Sequence, residues 1–453
     1  MRLNITRRRT VASFAALVTA GTLALTGCGS SNDSSNTNAA NAADAGPCGT
    51  KDDITLTVGL FGTFGFKEAG LWDAYKQVCP NVTIKEDDVE QSGDYWTKLK
   101  TRLASGSGLD DIQGIEIGFV GDVVKNHANQ FVNWNTVPNA AADKAEFYPW
   151  KWDMASTSDG STTVGLGTDI GPESICYRKD LFQQAGLPTD DATLAKDFAT
   201  WQGVIDLGKQ YEASKTRPSN SHFIDSVNSI FNGAVYQGTE AYDNTSNEPD
   251  VANSDGVKTA WDLATQAAAA KISAGLPQWQ DPWNKAFSDG SFAALSCPTW
   301  MMGYITSQAG DAGKGKWAVA PVTPGGSANW GGSWLGVPTA SKHQAAAIAL
   351  IEWLSTKENQ VKMWTDGGHW PSNQQAAEDP AVANATSDYF GPGQDIGKIY
   401  GEIAKNITIP PTGQFDTQIQ SAINAQLTNV ETKGTSPADA WKAALDAVKQ
   451  ITG

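Results

Sequence analysis

The sequence predicts an α/β fold with more than one domain. Short stretches rich in Val, Ile and Leu alternate with longer segments of helical periodicity along most of the chain. This alternation is typical of a sheet whose strands are connected through helices. The 453 residues are enough for two or three domains, and no internal repeat is visible.

Three strand and helix pairs account for the first part of the chain. Helical periodicity is clearest from Asp94, where Trp96, Leu99 and Leu103 recur on one face before Gly106 ends the helix. In chain order, we predict strands from Ile54, Asn81 and Asp111 and helices from Gly70, Asp94 and Asn126.

The same alternation continues to the carboxyl end of the chain. The last helix has the clearest limits, because Ser436 is an N-cap residue, Pro437 suits the first turn and Gly453 follows the last turn. In this part we predict strands from Ser174, Phe292 and Lys316 and helices from Thr200, Val257, Asp281, Ala345 and Ser436.

Residues 1–27 predict a bacterial lipoprotein signal peptide. Arg2 and Arg7 give a basic start, and the apolar run from Val11 to Leu25 is too short for a spanning helix. The run ends in Leu-Thr-Gly-Cys28, which resembles the lipobox, whose cysteine is lipidated. An ordinary cysteine near a cleavage site is the alternative.

Residues 28–47 predict a flexible tether, because they are rich in Ser, Asn and Ala and contain no aromatic residue. No later apolar run is long enough to span a bilayer. We therefore expect a protein held at the extracellular face of the bacterial cell membrane by the lipid on Cys28 alone.

The amino-acid composition limits the kinds of partner that the protein is expected to bind. The formal net charge is −16 and no cluster of Lys and Arg stands out, which argues against a nucleic-acid partner. Seventeen tryptophans in a chain that is only 18% charged indicate that indole surface has a use. Apart from Cys28, an even number of cysteines in an exported protein favours disulfides.

Four cysteines allow three pairings, and the sequence leaves the connectivity open. We favour Cys48–Cys79, which would pin the start of the domain to its first helix, and Cys176–Cys297, which would join two strands. Buried free thiols are the alternative.

Enzyme and metal motifs are weak. Gly310 to Lys316 has the spacing of a P-loop, but Trp317 stands where the magnesium-binding Ser or Thr belongs. The four histidines show no metal spacing, so we expect no metal and no cofactor. A surface glycoside hydrolase stays an alternative, because the sequence does not give the separation of carboxylates.

Six segments together resemble the extracellular oligosaccharide-binding lipoproteins of ABC importers, the family 1 solute-binding proteins that include maltose-binding proteins. The likeness is greatest to the cellobiose-type binders of actinobacteria. The segments are FGTFGFKEAGL from Phe61, DYWTKLKTRLASGSG from Asp94, DIQGIEIGF from Asp111, VGLGTDIGPESICYRKDLFQQAGLP from Val164, FAALSCPTWMMGYI from Phe292 and NWGGSWLGVP from Asn329.

The resemblance implies a two-lobe fold of the periplasmic-binding-protein type (type II), with a ligand cleft between lobes that close by hinge motion. Lobe 1 would comprise residues 48–168 and 335–389, and lobe 2 residues 172–332 and 393–453. The chain would cross between lobes near Gly167–Pro172, Gly332–Pro338 and Tyr389–Gly393, and crossings line the cleft.

The resemblance also implies that the protein binds its ligand without catalysing a reaction. We expect a monomeric receptor that binds a short oligosaccharide and delivers it to the permease subunits of an ABC importer. Short β-linked gluco- or manno-oligosaccharides are favoured. α-Galactosides and xylo- or malto-oligosaccharides are alternatives, and so is a peptide or metal receptor of the same fold.

Sugar chemistry selects the candidate site residues. Aromatic rings stack on the C–H faces of sugars, while carboxylates accept hydrogen bonds from hydroxyls. Each candidate has a packing or structural alternative, and we expect one of Trp330 and Trp334 to stack on the ligand and the other to be buried. The candidates are Phe64, Trp283, Trp300, Trp330, Trp334 and Trp370 for stacking, and Glu116, Asp169 and Ser333 for hydrogen bonding.

Overall fold

The computed structural model describes residues 46–391 and 393–453. The predicted signal peptide, Cys28 and nearly all of the predicted tether lie outside these residues. No helix in the described part of the chain is both long and apolar enough to cross a membrane.

Strands and helices alternate as predicted, with additional short helices between them. The strands are β1 Ile54–Phe61, β2 Val82–Val89, β3 Ile112–Glu116, β4 Leu166–Gly167, β5 Asp169–Ile170, β6 Glu173–Arg178, β7 His222–Ile224, β8 Phe292–Pro298, β9 Trp317–Val319, β10 Ser333–Gly336 and β11 Trp370–Pro371. The helices are α1 Leu71–Val78, α2 Ser92–Ser105, α3 Ile117–Asp122, α4 Ala140–Glu146, α5 Pro149–Met154, α6 Lys179–Ala185, α7 Asp191–Asp197, α8 Trp201–Ala213, α9 Val227–Val235, α10 Asp255–Ala270, α11 Asp281–Asp289, α12 Thr299–Gly313, α13 Gln344–Leu354, α14 Lys357–Gly367, α15 Gln374–Ala377, α16 Pro380–Ala383, α17 Ile396–Lys405, α18 Asp416–Lys433 and α19 Pro437–Thr452.

Local sequence explains where the helices begin and end. In α2, Trp96, Leu99 and Leu103 are buried as their spacing predicts, and Gly106 ends the helix in the left-handed conformation. In α19, the side chain of Ser436 accepts from the backbone N–H of Asp439, which confirms the predicted cap.

The first sheet has the order β2-β1-β3-β10-β4. β1 is parallel to β2 and β3, whereas β10 returns from far along the sequence and runs antiparallel between β3 and β4. Leu56, Val58, Ile112, Leu335 and Ile351 belong to its buried core. Because β10 pairs Ser333 with Glu116, the late segment reaches the carboxyl end of β3.

The second sheet has the order β7-β8-β6-β9, in which β6 is antiparallel to β8 and β9. The favoured disulfide pairing is confirmed. Cys48–Cys79 joins the start of the described chain to the end of α1, and Cys176–Cys297 joins β6 to β8.

Two chain segments that run next to each other connect the two sheets. Residues 167–172 lead from β4 to β6, and residues 329–333 lead back into β10. The backbone N–H of Trp330 donates to the carbonyl of Gly171 at 2.9 Å, and the N–H of Gly171 donates to Oδ1 of Asn329 at 2.9 Å. These hydrogen bonds hold the two connections together between the sheets.

Candidate functional site

A cleft of about 1820 Å³ is lined by the loops after strands of the first sheet, by several helices and by the segments that connect the sheets. One side, called the first wall here, is formed by the loops after β1, β2 and β3, namely residues 61–68, 88–93 and 116–118. The carboxyl ends of parallel strands commonly line a ligand crevice in open α/β sheets. The sequence places three loops of the described chain at one such edge.

The opposite side, called the second wall, is formed mainly by helices. Residues of α9, α12 and α18 line it, together with the loop before α11. The floor, defined as Asp169, residues 329–333 and His369, lies between the walls. The floor therefore contains both connections between the sheets.

Aromatic rings dominate the second wall and the adjoining part of the floor. The indole of Trp279 stacks on that of Trp300, with ring centroids 5.9 Å apart and an interplanar angle of 26°. Trp330 meets Trp300 edge to face at 5.6 Å, and Tyr304 meets Trp279 edge to face at 5.4 Å. All four side chains are partly exposed and line the cleft. They form a continuous aromatic surface of the kind that covers the apolar faces of a sugar.

Trp279 was not among the residues predicted from the sequence. It has a backbone φ of 68°, a conformation that a bulky residue rarely adopts. Residues held in such conformations cluster at ligand-binding sites. Trp279 lies between Gln278 and Gln280 in a loop. No periodic pattern there distinguishes a ligand-binding tryptophan from one that packs in the core.

The two glycines of the floor allow the rings to approach. Gly331 and Gly332 have φ values of 96° and 101°, which only glycine adopts without strain. A Cβ on Gly331 would lie 2.5 Å from Nε1 of Trp300. That indole nitrogen donates to the carbonyl of Trp330 at 2.7 Å. The absence of a side chain at Gly331 thus leaves room for the indole of Trp300 beside Trp330.

Trp330 and Trp334 lie in different environments, as expected from their sequence. Trp330 is partly exposed to the cleft, whereas Trp334 is buried and does not line it. Four residues of extended chain would place both side chains on one face. The left-handed glycines between them interrupt the extended conformation, so the two indoles face opposite ways.

Carboxylates characterise the first wall. Glu68, Asp88, Glu90 and Glu116 line the cleft on this side, and Asp169 lines the floor. Glu116 lies at the end of β3, where its Oε2 accepts from the backbone N–H of Gly118 at 2.9 Å. The other carboxylate oxygen has no hydrogen bond within the described protein and is free to accept from a ligand hydroxyl.

Glu116 titrates in the neutral range. Burial between the walls and, as a smaller effect, the charge of Asp169 raise the pKa of its carboxyl to about 7. The Gly118 hydrogen bond and Lys151 oppose this rise but do not cancel it. Although solvent reaches part of the side chain, protein surrounds the carboxyl on most sides, and this explains the shift.

Asp169 lines the floor of the cleft and also holds its backbone in place. Its Oδ1 accepts from the backbone N–H of Ser333 at 2.9 Å and from the hydroxyl of Thr168 at 2.8 Å, which fixes the floor. Its Oδ2 faces Nδ1 of His369 at 3.7 Å. Burial alone would raise the pKa of Asp169, but His369 and Lys151 outweigh burial and lower it. An ionised carboxylate therefore lies at the centre of the cleft.

Phe64, Glu116, Asp169, Trp300, Trp330 and Ser333 all line the cleft, so the structure brings together six of the nine predicted side chains. The other three are corrected to packing residues. Trp283 is fully buried and its indole donates to Asp225 at 2.8 Å. Trp370 is also fully buried and packs edge to face on Trp364, which itself lines the cleft.

Trp334, the third of these, packs beside a lysine that the sequence did not single out. Its Nε1 donates to the carbonyl of Lys151 at 3.0 Å, and Nζ of Lys151 lies 3.3 Å from the centroid of its ring. Lys151 is fully buried in α5 and does not line the cleft. The sequence could not predict this buried position, because a single lysine in a short helical segment has no distinguishing pattern.

The charge of the cleft lining is one-sided. Six carboxylates line it, and no Lys or Arg does so within the described residues. Nor do the described residues contain a group of three or more His, Cys, Asp or Glu that could hold a metal ion. An anionic ligand would meet repulsion without a compensating cation, so the lining suits an uncharged or cationic ligand.

The chain matches a known sequence family over most of its length. The profile of the bacterial extracellular solute-binding protein family matches residues 70–388. The chain is 26% identical to the lactose-binding protein of Rhizobium radiobacter over 379 residues, which are 81% of this chain and 83% of the relative. It is 22% identical to the arabinooligosaccharide-binding protein of Halalkalibacterium halodurans over 362 residues, 78% of each chain.

Solved structures share the fold. A crystal structure of an extracellular solute-binding protein of family 1 has a TM-score of 0.78 and 36% identity, over 88% of this chain and 100% of that one. A binding protein of B. animalis subsp. lactis Bl-04 in complex with β-1,6-galactobiose has a TM-score of 0.72 and 21% identity, over 88% and 98%. Maltose-bound T. maritima MalE3 has a TM-score of 0.67 and 16% identity, over 88% and 99%. The two-lobe α/β fold is confirmed.

Proposed function

The chain belongs to the bacterial extracellular solute-binding protein family, and from this premise we propose that it captures a short, uncharged oligosaccharide outside the cell and delivers it to the permease of an ABC importer. The family binds solutes and does not transform them, so the protein is a receptor and not an enzyme. The family assignment therefore argues against a glycoside hydrolase.

One observation carries the sugar proposal, namely that an indole surface and a row of carboxylates line the same cleft. Trp279, Trp300 and Trp330 offer flat apolar area to the C–H faces of pyranose rings. Glu116 and Asp169 offer acceptors for the hydroxyls at the ring edges. A ligand with apolar faces and a hydroxylated rim fits both surfaces at once.

The amides of the second wall extend this polar complement. Asn228, Asn232, Gln278, Gln420 and Asn424 line the cleft around the rings. An amide side chain both donates and accepts, which suits hydroxyls that do the same. The volume of about 1820 Å³ exceeds the usual range for a small-molecule pocket, which favours an oligosaccharide over a monosaccharide.

The names of the relatives support the same ligand class. One binds arabinooligosaccharides, one binds lactose and one structural neighbour holds β-1,6-galactobiose. We propose a short β-linked gluco- or manno-oligosaccharide as the ligand. These names add β-galactosides to the candidate ligands, beside α-galactosides and xylo- and malto-oligosaccharides.

Three further features belong to the proposal. Residues 1–27 act as the signal peptide, Cys28 carries the lipid and residues 28–47 tether the receptor to the extracellular face of the membrane. The lobes comprise residues 48–168 with 335–389 and 172–332 with 393–453. They close on the sugar through the segments at 167–172, 332–338 and 389–393.

Titration of the purified protein with a panel of neutral disaccharides, followed by tryptophan fluorescence and calorimetry, tests the proposal. We expect saturable heat and an emission shift with at least one sugar, and chromatography should recover that sugar uncleaved. Trp330→Ala should reduce the emission shift, whereas Trp441→Ala should not, because Trp441 packs on Trp261 in α10 and does not line the cleft. Silence with every sugar, together with tight binding of a peptide or metal ion, would contradict the proposal.

A further inference from the structure

Lys151 lies directly beneath the floor of the cleft. Its side chain is fully buried, and it fits there because two positions above it are glycines. A Cβ on Gly167 would lie 2.9 Å from Cε of Lys151, and a Cβ on Gly332 would lie 3.0 Å from its Nζ. The ammonium group is thus separated from the cleft by the backbone of the floor alone.

Trp334 holds this lysine at both ends. The indole N–H donates to the backbone carbonyl of Lys151, and the face of the ring receives its ammonium group. A cation over an indole face is attracted by the negative face of the ring, most strongly when water is excluded. The paired contacts keep Nζ pointing at the underside of Gly332.

The ammonium group makes no hydrogen bond to any acceptor of the described residues. A buried cation without such a partner is costly, and the indole face offsets only part of that cost. The charges that favour its cationic form are those of Asp169 and Glu116, while burial lowers the pKa of Lys151 to about 7. Lys151 in turn favours the ionised form of both carboxylates.

We propose that Lys151 is the hidden counter-charge of the cleft, a positioning residue that, when protonated, favours the ionised forms of Glu116 and Asp169, which accept hydrogen bonds from ligand hydroxyls. Hydrogen bonds to an ionised acceptor are about twice as strong as those to a neutral one. A lysine in the lining would also attract anionic ligands, whereas a lysine beneath the floor supports the carboxylates without contacting the ligand. The inference rests on the proposed sugar-binding function.

Other titratable groups face the same carboxylates. His369 lies against Asp169, and the charge of Asp169 raises the pKa of Glu116. Asp416 at the start of α18 and Tyr236 directly after α9 also interact with the charge of Glu116. Among the groups facing Glu116, Lys151 is the cation that favours its ionisation. Its removal should therefore move the titration of Glu116 upward.

The test is the pH profile of sugar affinity in Lys151→Met, a variant that keeps the length of the side chain and removes the charge. The probe is whichever of cellobiose, mannobiose, lactose and β-1,6-galactobiose the wild type binds most tightly, titrated by calorimetry between about pH 5.5 and 9. Wild-type affinity should rise as the pH passes through about 7. In the variant, the midpoint should move up by about one pH unit, and affinity at pH 7 should fall by about 5-fold at most, because that shift lowers the ionised fraction of Glu116 from one half to about one eleventh.

Two companion variants separate this role from a structural one. Glu116→Gln alone should remove most of the pH dependence of sugar affinity. In the double variant, adding Lys151→Met should then cause no further shift in the midpoint of the pH profile. A uniform loss of affinity in Lys151→Met with an unchanged midpoint would overturn the inference. If that variant does not fold, an unchanged pH profile in Glu116→Gln alone would overturn it. Failure of the wild type to bind any sugar would instead contradict the proposed function.

Discussion

The two walls of the cleft differ in the chemistry that they present. The first wall offers carboxylates at the ends of β1, β2 and β3, whereas the second wall offers indoles and amides, mainly on helices. The carboxylates accept hydrogen bonds from hydroxyl groups and repel anions. The aromatic rings stack on the apolar faces of a sugar whatever its charge. We therefore expect the first wall to select against anionic ligands and the second wall to supply ring surface for stacking.

Local structure explains this division. Short loops after parallel strands expose backbone N–H groups and polar side chains, as Gly118 and Glu116 show. Large rings need support from behind, and the second wall provides it, because Trp279 packs on buried Trp283 and Trp300 is fixed by the carbonyl of Trp330. Four predictions test the comparison, from the largest expected effect to the smallest.

Trp300→Ala should cause the largest loss. Trp300 contacts Trp279 and Trp330 as well as the cleft, so its removal disturbs the whole ring surface. We expect a loss of about 2 kcal/mol, roughly 30-fold in affinity, measured by calorimetry with a bound disaccharide. Unchanged affinity would show that the second wall does not bind the sugar.

Glu116→Gln should cost about 10-fold in affinity at pH 8 and little at pH 6. The pKa of Glu116 is raised to about 7, so the wild-type carboxyl is ionised at the higher pH and neutral at the lower one. A glutamine is neutral at both. Affinities that differ equally at pH 6 and pH 8 would contradict the assigned role of the carboxylate.

Gly331→Ala should weaken sugar binding several-fold, and Gly326→Ala is the matched control. Both glycines have a positive φ, 96° and 121°, so both substitutions strain the backbone. Only at position 331 does the new Cβ meet the indole of Trp300, because a Cβ at position 326 has no atom within 4 Å. Equal affinities in the two variants would show that the ring position does not matter.

Trp283→Phe should leave sugar affinity unchanged within about 2-fold and lower stability by about 1–2 kcal/mol. The ring lies behind the second wall, and its loss leaves Oδ2 of buried Asp225 without the indole donor. Chemical denaturation measures the stability, and calorimetry measures the affinity. A large loss of sugar affinity with unchanged stability would show that Trp283 contributes directly to sugar binding.

The alternation of strands and helices could be predicted from the sequence, because spacing and caps act locally. The presence of disulfides could be predicted from the even cysteine count and the exported compartment, whereas their pairing was only favoured among three possibilities. Sequence reasoning identified Phe64, Trp300 and Trp330 through their glycine and proline neighbours. It could not separate them from Trp283 and Trp370, since the same residue types also bury well. Burial of a tryptophan depends on helices that pack from elsewhere in the chain, which periodicity does not report.

Trp279 and Lys151 show what the sequence lacked. Trp279 lies in the cleft through a strained backbone that no pattern marks. Lys151 lies beneath the floor because Gly167 and Gly332, distant in sequence from each other, leave space above it. Both roles depend on contacts between segments that only the folded chain brings together.

The central claim is that the cleft selects uncharged sugars through opposed carboxylate and indole walls. Calorimetric titration with a neutral disaccharide and with its uronic acid counterpart, at about pH 7.5 and low salt, tests it most directly. We expect saturable binding of the neutral sugar and at least 10-fold weaker affinity for the acid, and the difference should narrow as salt is raised. Equal or tighter binding of the acid, or no binding of any neutral sugar, would contradict it.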